Sequence, residues 1–303
     1  MFGKSYNKPG RGISKKDAEK RNYFDIFGRH FTHIIGANFW YTLANIVFFV
    51  SAILLFKVYF GGEQFFNVVS KIIHGELFIV PILPFVPFVF IGPFTAGYTY
   101  VIRNYAKQEP TFLVSDFFEH SKKNLKQGLT ISFLSTLVAY LLTQAFVYYK
   151  FFFVSNNLPT GVLYTLSAIV LILFVITMFY IYPIMVTFKM NTKVIIKNAW
   201  TFTVLKLPQN FLIFIFLAFL NAAVFYILIL YFPPTVYLLF LALFMTGFTS
   251  FTANYYIWHV LDKYIVSLVK PKADNEAVFN DDEYPELDDE YNEEVVIEDE
   301  YLL

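Results

Sequence analysis

The sequence contains no cysteine, which excludes disulfides, iron–sulfur ligation and thiol catalysis and leaves no redox mark of a compartment. Charge is scarce as well: 15% of the 303 residues are Asp, Glu, Lys or Arg, where a soluble domain carries about 25%. There is no G-x-x-x-x-G-K-[ST], no H-E-x-x-H and no G-x-S-x-G, so nucleotide hydrolysis by a P-loop, zinc proteolysis and nucleophile-elbow chemistry lack their residues. The five histidines are scattered. His30 and His33 have helical i, i+3 spacing but stand beside Arg29 with no third ligand, so neither a metal nor another cofactor is expected. What the chain has instead is apolar: 57% hydrophobic residues, 21% aromatic, and a mean hydropathy of +0.54.

The few charges are segregated, leaving uncharged runs at 34–56, 77–102, 127–149, 151–188 and 207–261. About 20 apolar residues cross a bilayer as a helix, and the period-two alternation of barrel strands is missing. SNNLPTG (155–161) and YFPPT (231–235) divide the last two runs. The expectation is an all-α polytopic helical membrane protein of about six transmembrane helices, near 34–57, 77–101, 129–152, 162–188, 209–231 and 236–258. With that count, 20 of the 23 Lys and Arg residues fall on one side, which places both termini in the cytoplasm. The first 33 residues are too polar for a secretory signal, so the first span acts as an uncleaved anchor.

Three regions follow. Residues 1–33 form a basic cytoplasmic segment with an amphipathic helix; within 17–35, Phe24, Phe27, Phe31 and Ile34 share one face, which either lies in the membrane interface or packs on the cytoplasmic side of the bundle. Residues 34–270 form the helical bundle. Residues 271–303 form an acidic tail, with 14 acidic and no basic residues from Asp274 onward, which should be disordered and solvated.

No span carries Asp, Glu, Arg or His near its middle, which argues against a proton-coupled pump, an intramembrane carboxylate hydrolase and an enzyme in general. Hydroxyls and amides remain, among them Asn45, Thr177, Asn221 and the cluster Thr246, Thr249, Ser250 and Thr252. They either join helices to one another or line a path for a neutral polar solute. Within PILPFVPFVFIGPFTAGYTY (81–100), Pro81, Pro84 and Pro87 recur every three residues. Each removes a backbone donor, so a bent or partly unwound segment is expected, either packed among neighbours or forming a discontinuous helix at a binding site. Gly92, Pro93 and Gly97 form a second break, where small residues admit another helix. The loops 112–129 and 191–210 each fit a short cytoplasmic helix followed directly by a span, the first with Ser115 or Asp116 as N-cap and the second stopped by Pro208. Each contains a Lys-Asn pair, Lys123–Asn124 and Lys197–Asn198.

The stretch GPFTAGYTYVIRNYAKQEPTFLVSDFFEHSKKNLKQG (92–128) resembles the YesL-like family of bacterial integral membrane proteins. The resemblance is carried by Gly92, Pro93, Thr95, Ala96 and Gly97, then Arg103 and Asn104, then Asp116, Phe117 and Phe118, and finally Asn124, Lys126 and Gln127. It implies a multi-pass protein of the bacterial plasma membrane without established catalysis, associated with carbohydrate ABC importers. Its partners would be the lipid bilayer and the permease or ATPase subunits of such an importer; nucleic acid is not expected. The chain then reads as an accessory subunit that stabilises or regulates the importer, and a stand-alone uniporter or channel for a neutral solute is the alternative. Arg103, Asn104, Asp116, Phe117, Phe118, Asn124, Lys126 and Gln127, together with Asn198 and Trp200 of the second loop, form the expected docking surface. Pro81, Pro84, Pro87 and the Gly92–Gly97 element form the expected hinge.

Overall fold

The computed structural model describes residues 22–63, 65–77, 79–156, 161–233 and 240–266. The basic residues of 1–21, the acidic tail and parts of both expected turns (157–160 and 234–239) lie outside the described residues.

The described residues are mostly helical, and none of them is in a strand: α1 (Tyr23–Tyr59), α2 (Phe65–His74), a 3-10 segment (Leu83–Ile91) running into α3 (Gly92–Lys107), α4 (Leu113–Lys123), α5 (Leu125–Asn156), α6 (Gly161–Thr187), α7 (Thr192–Leu205), α8 (Leu207–Tyr231) and α9 (Thr246–Leu261). Five stretches are long and apolar enough to cross a membrane: Tyr23–Tyr59, Leu83–Lys107, Leu125–Val154, Gly161–Thr187 and Leu207–Leu228. The expected sixth span, 236–258, begins outside the described residues and then falls on the π-type segment Leu241–Met245 and most of α9; a second π-type segment, Asp262–Val266, follows α9.

The α3 helix is the hub, packed against α1, α4, α5, α6 and α9. Its sequence allows this because Ala96 and Gly97 present almost no side chain, while Val101 and Ile102 are fully enclosed. Around it, Ile176, Tyr180 and Ile184 of α6 join Ile257 and Leu261 of α9 in one core cluster. Ile26 and Ile34 of α1 join Phe117 of α4 and Phe251 of α9 in a second. Valine, leucine, isoleucine and phenylalanine are prominent on the outward faces of α1 and α8, for example Val47, Leu54, Leu212 and Phe219. In water such surface would be untenable; facing lipid it costs nothing.

Two expectations are corrected. The amphipathic stretch before the first span is not a separate interfacial element: α1 runs 37 residues without interruption. Its buried face, Ile26 and Ile34, meets α3 and α9, so packing within the bundle continues the helix where a turn was expected. The second span starts later than expected, at Leu83, because Pro81 and Pro84 leave residues 79–82 outside the helix. The loop after α1 also contains a short amphipathic helix, α2, which packs on α5; its apolar residues are too few to register as a hydrophobic run.

Candidate docking face and the seams beneath it

A 3-10 helix turns once every three residues, and that is the conformation of Leu83–Ile91. The three-residue proline spacing therefore puts Pro84 and Pro87 one above the other, and both are buried. Phe85, Phe88 and Phe90 radiate from the same segment onto Tyr140, Phe49 and Phe48. Packed against α1 and α5 in this way, the prolines hold a tightened entry to α3.

The second break has a different cause. Pro93 has no N–H to give to the turn before it, and there the Ser132 hydroxyl of α5 reaches Val89 O, while also lying within reach of its own Gly128 and Leu129 carbonyls at 2.8 and 3.1 Å. This contact requires α3 and α5 to touch backbone to backbone. A Cβ at Gly92 would overlap Gly128 O and Ser132, and one at Gly128 would lie 2.9 Å from Pro93 N. Gly97 makes the matching approach to α4, where Phe117 O and Ser121 Oγ occupy the space a side chain would need. Ala96 is fully buried, and Thr95 donates to Ile91 O at 2.9 Å while pairing with the Tyr41 hydroxyl at 3.1 Å. Ser132→Ala should cost about 0.5–1.5 kcal/mol through loss of a hydrogen bond between α5 and the entry to α3. The thermal midpoint in detergent measures this, and an unchanged midpoint would contradict it.

At the far end of α3, Arg103 is buried. Its Nη1 donates to Val186 O at 2.6 Å and Thr187 Oγ1 at 2.9 Å, while Nε and Nη2 donate to Asn104 Oδ1 at 3.1 and 2.8 Å. Val186 and Thr187 are the last two residues of α6, where carbonyls lack helical partners and the helix dipole is negative. The guanidinium caps that end, and its charge is answered by the dipole and by neutral acceptors. Nearby, Lys107 pairs with Glu109 at 2.6 Å and lies over the Trp258 ring. Lys206 and the field around it hold the Tyr264 hydroxyl below its ordinary pKa.

The remaining expected docking residues divide into two sets. Phe117 is buried and stacks on Phe94. Asn198 is buried, its amide 3.5 Å from Met190 Sδ. With Arg103 and Asn104 they are internal, so the expectation that all four face a partner is corrected: Arg103 and Phe117 join α3 to its neighbours, Asn104 orients the Arg103 guanidinium, and Asn198 meets the α6–α7 turn. Asp116 does not act as N-cap; α4 starts at Leu113, and the Asp116 carboxylate reaches back to accept from Phe112 N–H at 2.9 Å. Asn124 closes α4 by donating to His120 O at 2.9 Å. Gln127 donates to Met190 O at 2.9 Å, tying α5 to the α6–α7 turn.

Phe118, Lys126 and Trp200 do reach the surface. The residues around them that the sequence reading missed are Phe112 and Val114 beside α4, and Val204 and Leu205 at the end of α7, all exposed. Their spacing among charges carries no motif. The two short helices are built alike: α4 passes to α5 through Asn124 alone (φ −97°, ψ 17°) and α7 to α8 through Lys206 alone (φ −110°, ψ 26°). Both sit at the end of the bundle that carries Arg103, Lys107, Lys123, Lys126, Lys189, Lys193, Lys197 and Lys206, whereas Lys57, Lys71 and Lys150 mark the other end.

Residues 72–146 are similar to a family described as a protein of unknown function, DUF624. That stretch contains the proline segment, the Gly92–Gly97 break, Arg103, and α4 with the start of α5. No curated protein and no solved structure matches the chain significantly.

Proposed function

We propose that this chain is an accessory subunit of a carbohydrate ABC importer in the bacterial plasma membrane, which it binds and stabilises or regulates through α4 and α7. In this reading it has six spans with both termini in the cytoplasm and is a YesL-like protein; the importer class rests on that resemblance. The observation that carries a docking role is the set of exposed apolar side chains on these two helices, Phe118 on α4 and Trp200, Val204 and Leu205 on α7. It lies on two helices too short to cross a bilayer, at the basic end of the bundle. Importer ATPases and the coupling segments of permeases meet on the cytoplasmic side, which is the side that the excess of Lys and Arg favours.

The alternative, a path for a neutral solute, loses support from how the hydroxyls are used. Thr249 accepts from Asn221 at 2.9 Å, Thr252 pairs with Tyr23 at 2.7 Å, and Thr203 donates to Thr177 at 3.2 Å. These groups join helices to one another, the usual role of such residues in lipid.

Affinity purification of the tagged chain in mild detergent should recover permease, ATPase or solute-binding components. Recovery of none of them, or sugar uptake by liposomes holding this chain alone, would overturn the reading. The Phe118→Ala, Trp200→Ala double variant should reduce partner recovery at least about tenfold, as loss of two aromatic anchors does. Its thermal midpoint should stay close to that of the parent, since neither side chain fills the core.

A further inference from the structure

A recess opens beneath the docking helices, where the start of α5 meets the α6–α7 turn. It has a volume of about 440 Å³, and Lys123, Asn124, Gln127 and Lys189 are among the residues that line it. Both lysines are exposed at its edge, and the Gln127 bond to Met190 O holds its wall in place. The seam between α5 and α6 continues inward from there. Ile131 lies one turn beyond Gln127 on α5, and Ile181 one turn beyond Met185 on α6; both line a second cavity of about 350 Å³. This inner groove is apolar, with Leu134, Val138 and Phe174 along its sides and Trp200 of α7 at its mouth. Its two hydroxyls are already committed to backbone: Ser135 donates to Ser132 O at 3.1 Å and Thr177 to Leu173 O at 2.8 Å.

A polar, doubly basic recess followed along one seam by an apolar groove matches a molecule with an anionic head and a hydrocarbon chain. Each volume falls within the range of specific ligand sites. A soluble sugar would find no hydrogen-bonding partner in the groove, and a hydrocarbon alone would not match the polar, basic lining of the recess. We infer that the seam binds one anionic phospholipid, its phosphate between Lys123 and Lys189 and one acyl chain between α5 and α6. Ammonium groups give charge-assisted hydrogen bonds to phosphate oxygens, and basic pockets between helices are a known form of head-group recognition. The lipid would occupy the inner side of the docking helices, with Trp200 contributing one face to the groove and its exposed face to the partner.

The test uses the full chain, delipidated in detergent and titrated in native mass spectrometry with phosphatidylglycerol, phosphatidylcholine or glycerol phosphate. A single phosphatidylglycerol adduct should form and bind about tenfold or more tighter than phosphatidylcholine. Lys123→Glu with Lys189→Glu should abolish that preference without moving the thermal midpoint. Val138→Trp, which fills the groove from α5, should weaken the lipid adduct while leaving the lysines in place. An unchanged preference in the double charge reversal would overturn the site. Glycerol phosphate binding as tightly as phosphatidylglycerol would equally overturn it, assigning the recess to a soluble phosphate compound.

Discussion

Replacing Gly97 by leucine should prevent the bundle from assembling. A Cβ at this position overlaps Phe117 O and Ser121 Oγ and lies 3.0 Å from Ser121 N. Two of these three atoms are backbone, so no side-chain rotation relieves the contact, and α4 would have to move away from α3. Extra methylenes in a tight core cost about 1–3 kcal/mol when the site can adjust; here the adjustment separates two helices of the hub. Because total stabilities are about 5–15 kcal/mol, Gly97→Leu should give aggregated or absent protein, and Gly97→Ala a protein with a clearly lowered thermal midpoint. Gly28→Ala is the control: a Cβ there meets nothing within 4 Å, and alanine favours the helix, so the midpoint should hold or rise. A Gly97→Leu protein that elutes as the parent does would show that α3 and α4 are not packed as described.

Arg103→Met should destabilise by about 3 kcal/mol or more. A hydrogen bond to a charged group contributes about 1.5–3 kcal/mol, and an acceptor left buried and unsatisfied adds its desolvation penalty. The guanidinium's acceptors include Val186 O, Thr187 Oγ1 and Asn104 Oδ1. Arg103→Lys keeps the charge at the end of α6 but cannot reproduce the fork, and should fall between methionine and arginine. The comparison also separates two roles. If Arg103→Met keeps the parental midpoint yet loses the partner, Arg103 is a contact residue and the capping account fails.

The spans were legible because hydropathy is a local property: 20 uncharged residues in a row declare themselves whatever surrounds them. A departure from regular α-helix at the prolines was legible too, since their three-residue spacing fits few conformations; a bent or partly unwound segment was expected, and the segment is instead a more tightly wound 3-10 helix holding Pro84 and Pro87. Burial was not legible. Arg103, Asn104 and Asn198 look like surface residues in a basic loop region. What encloses Arg103 is the end of α6, 83 residues away in sequence, and no local pattern announces it. The same blindness made Phe117 and Phe118 equivalent, although one is enclosed and the other exposed. Helical periodicity between α4 and its neighbours decides which of the pair turns inward. The continuity of α1 escaped detection for a related reason. The charged residues around 25–29 suggested a membrane-surface element, but Ile26, Phe27 and Ile34 pack on α3 and α9, while Phe24 and Phe31 of the expected face stay exposed.

The absence of cysteine makes the docking proposal directly measurable, because every introduced thiol is the only one in the chain. Phe118→Cys, Trp200→Cys and, as a lipid-facing control on α8, Leu212→Cys can each be carried on the full chain in native membranes and treated with a short thiol-to-amine cross-linker. The account predicts that the Phe118 and Trp200 positions join the chain to an importer permease or ATPase while the Leu212 position does not. Absence of any importer product from both docking positions, or equal products from all three, would contradict it.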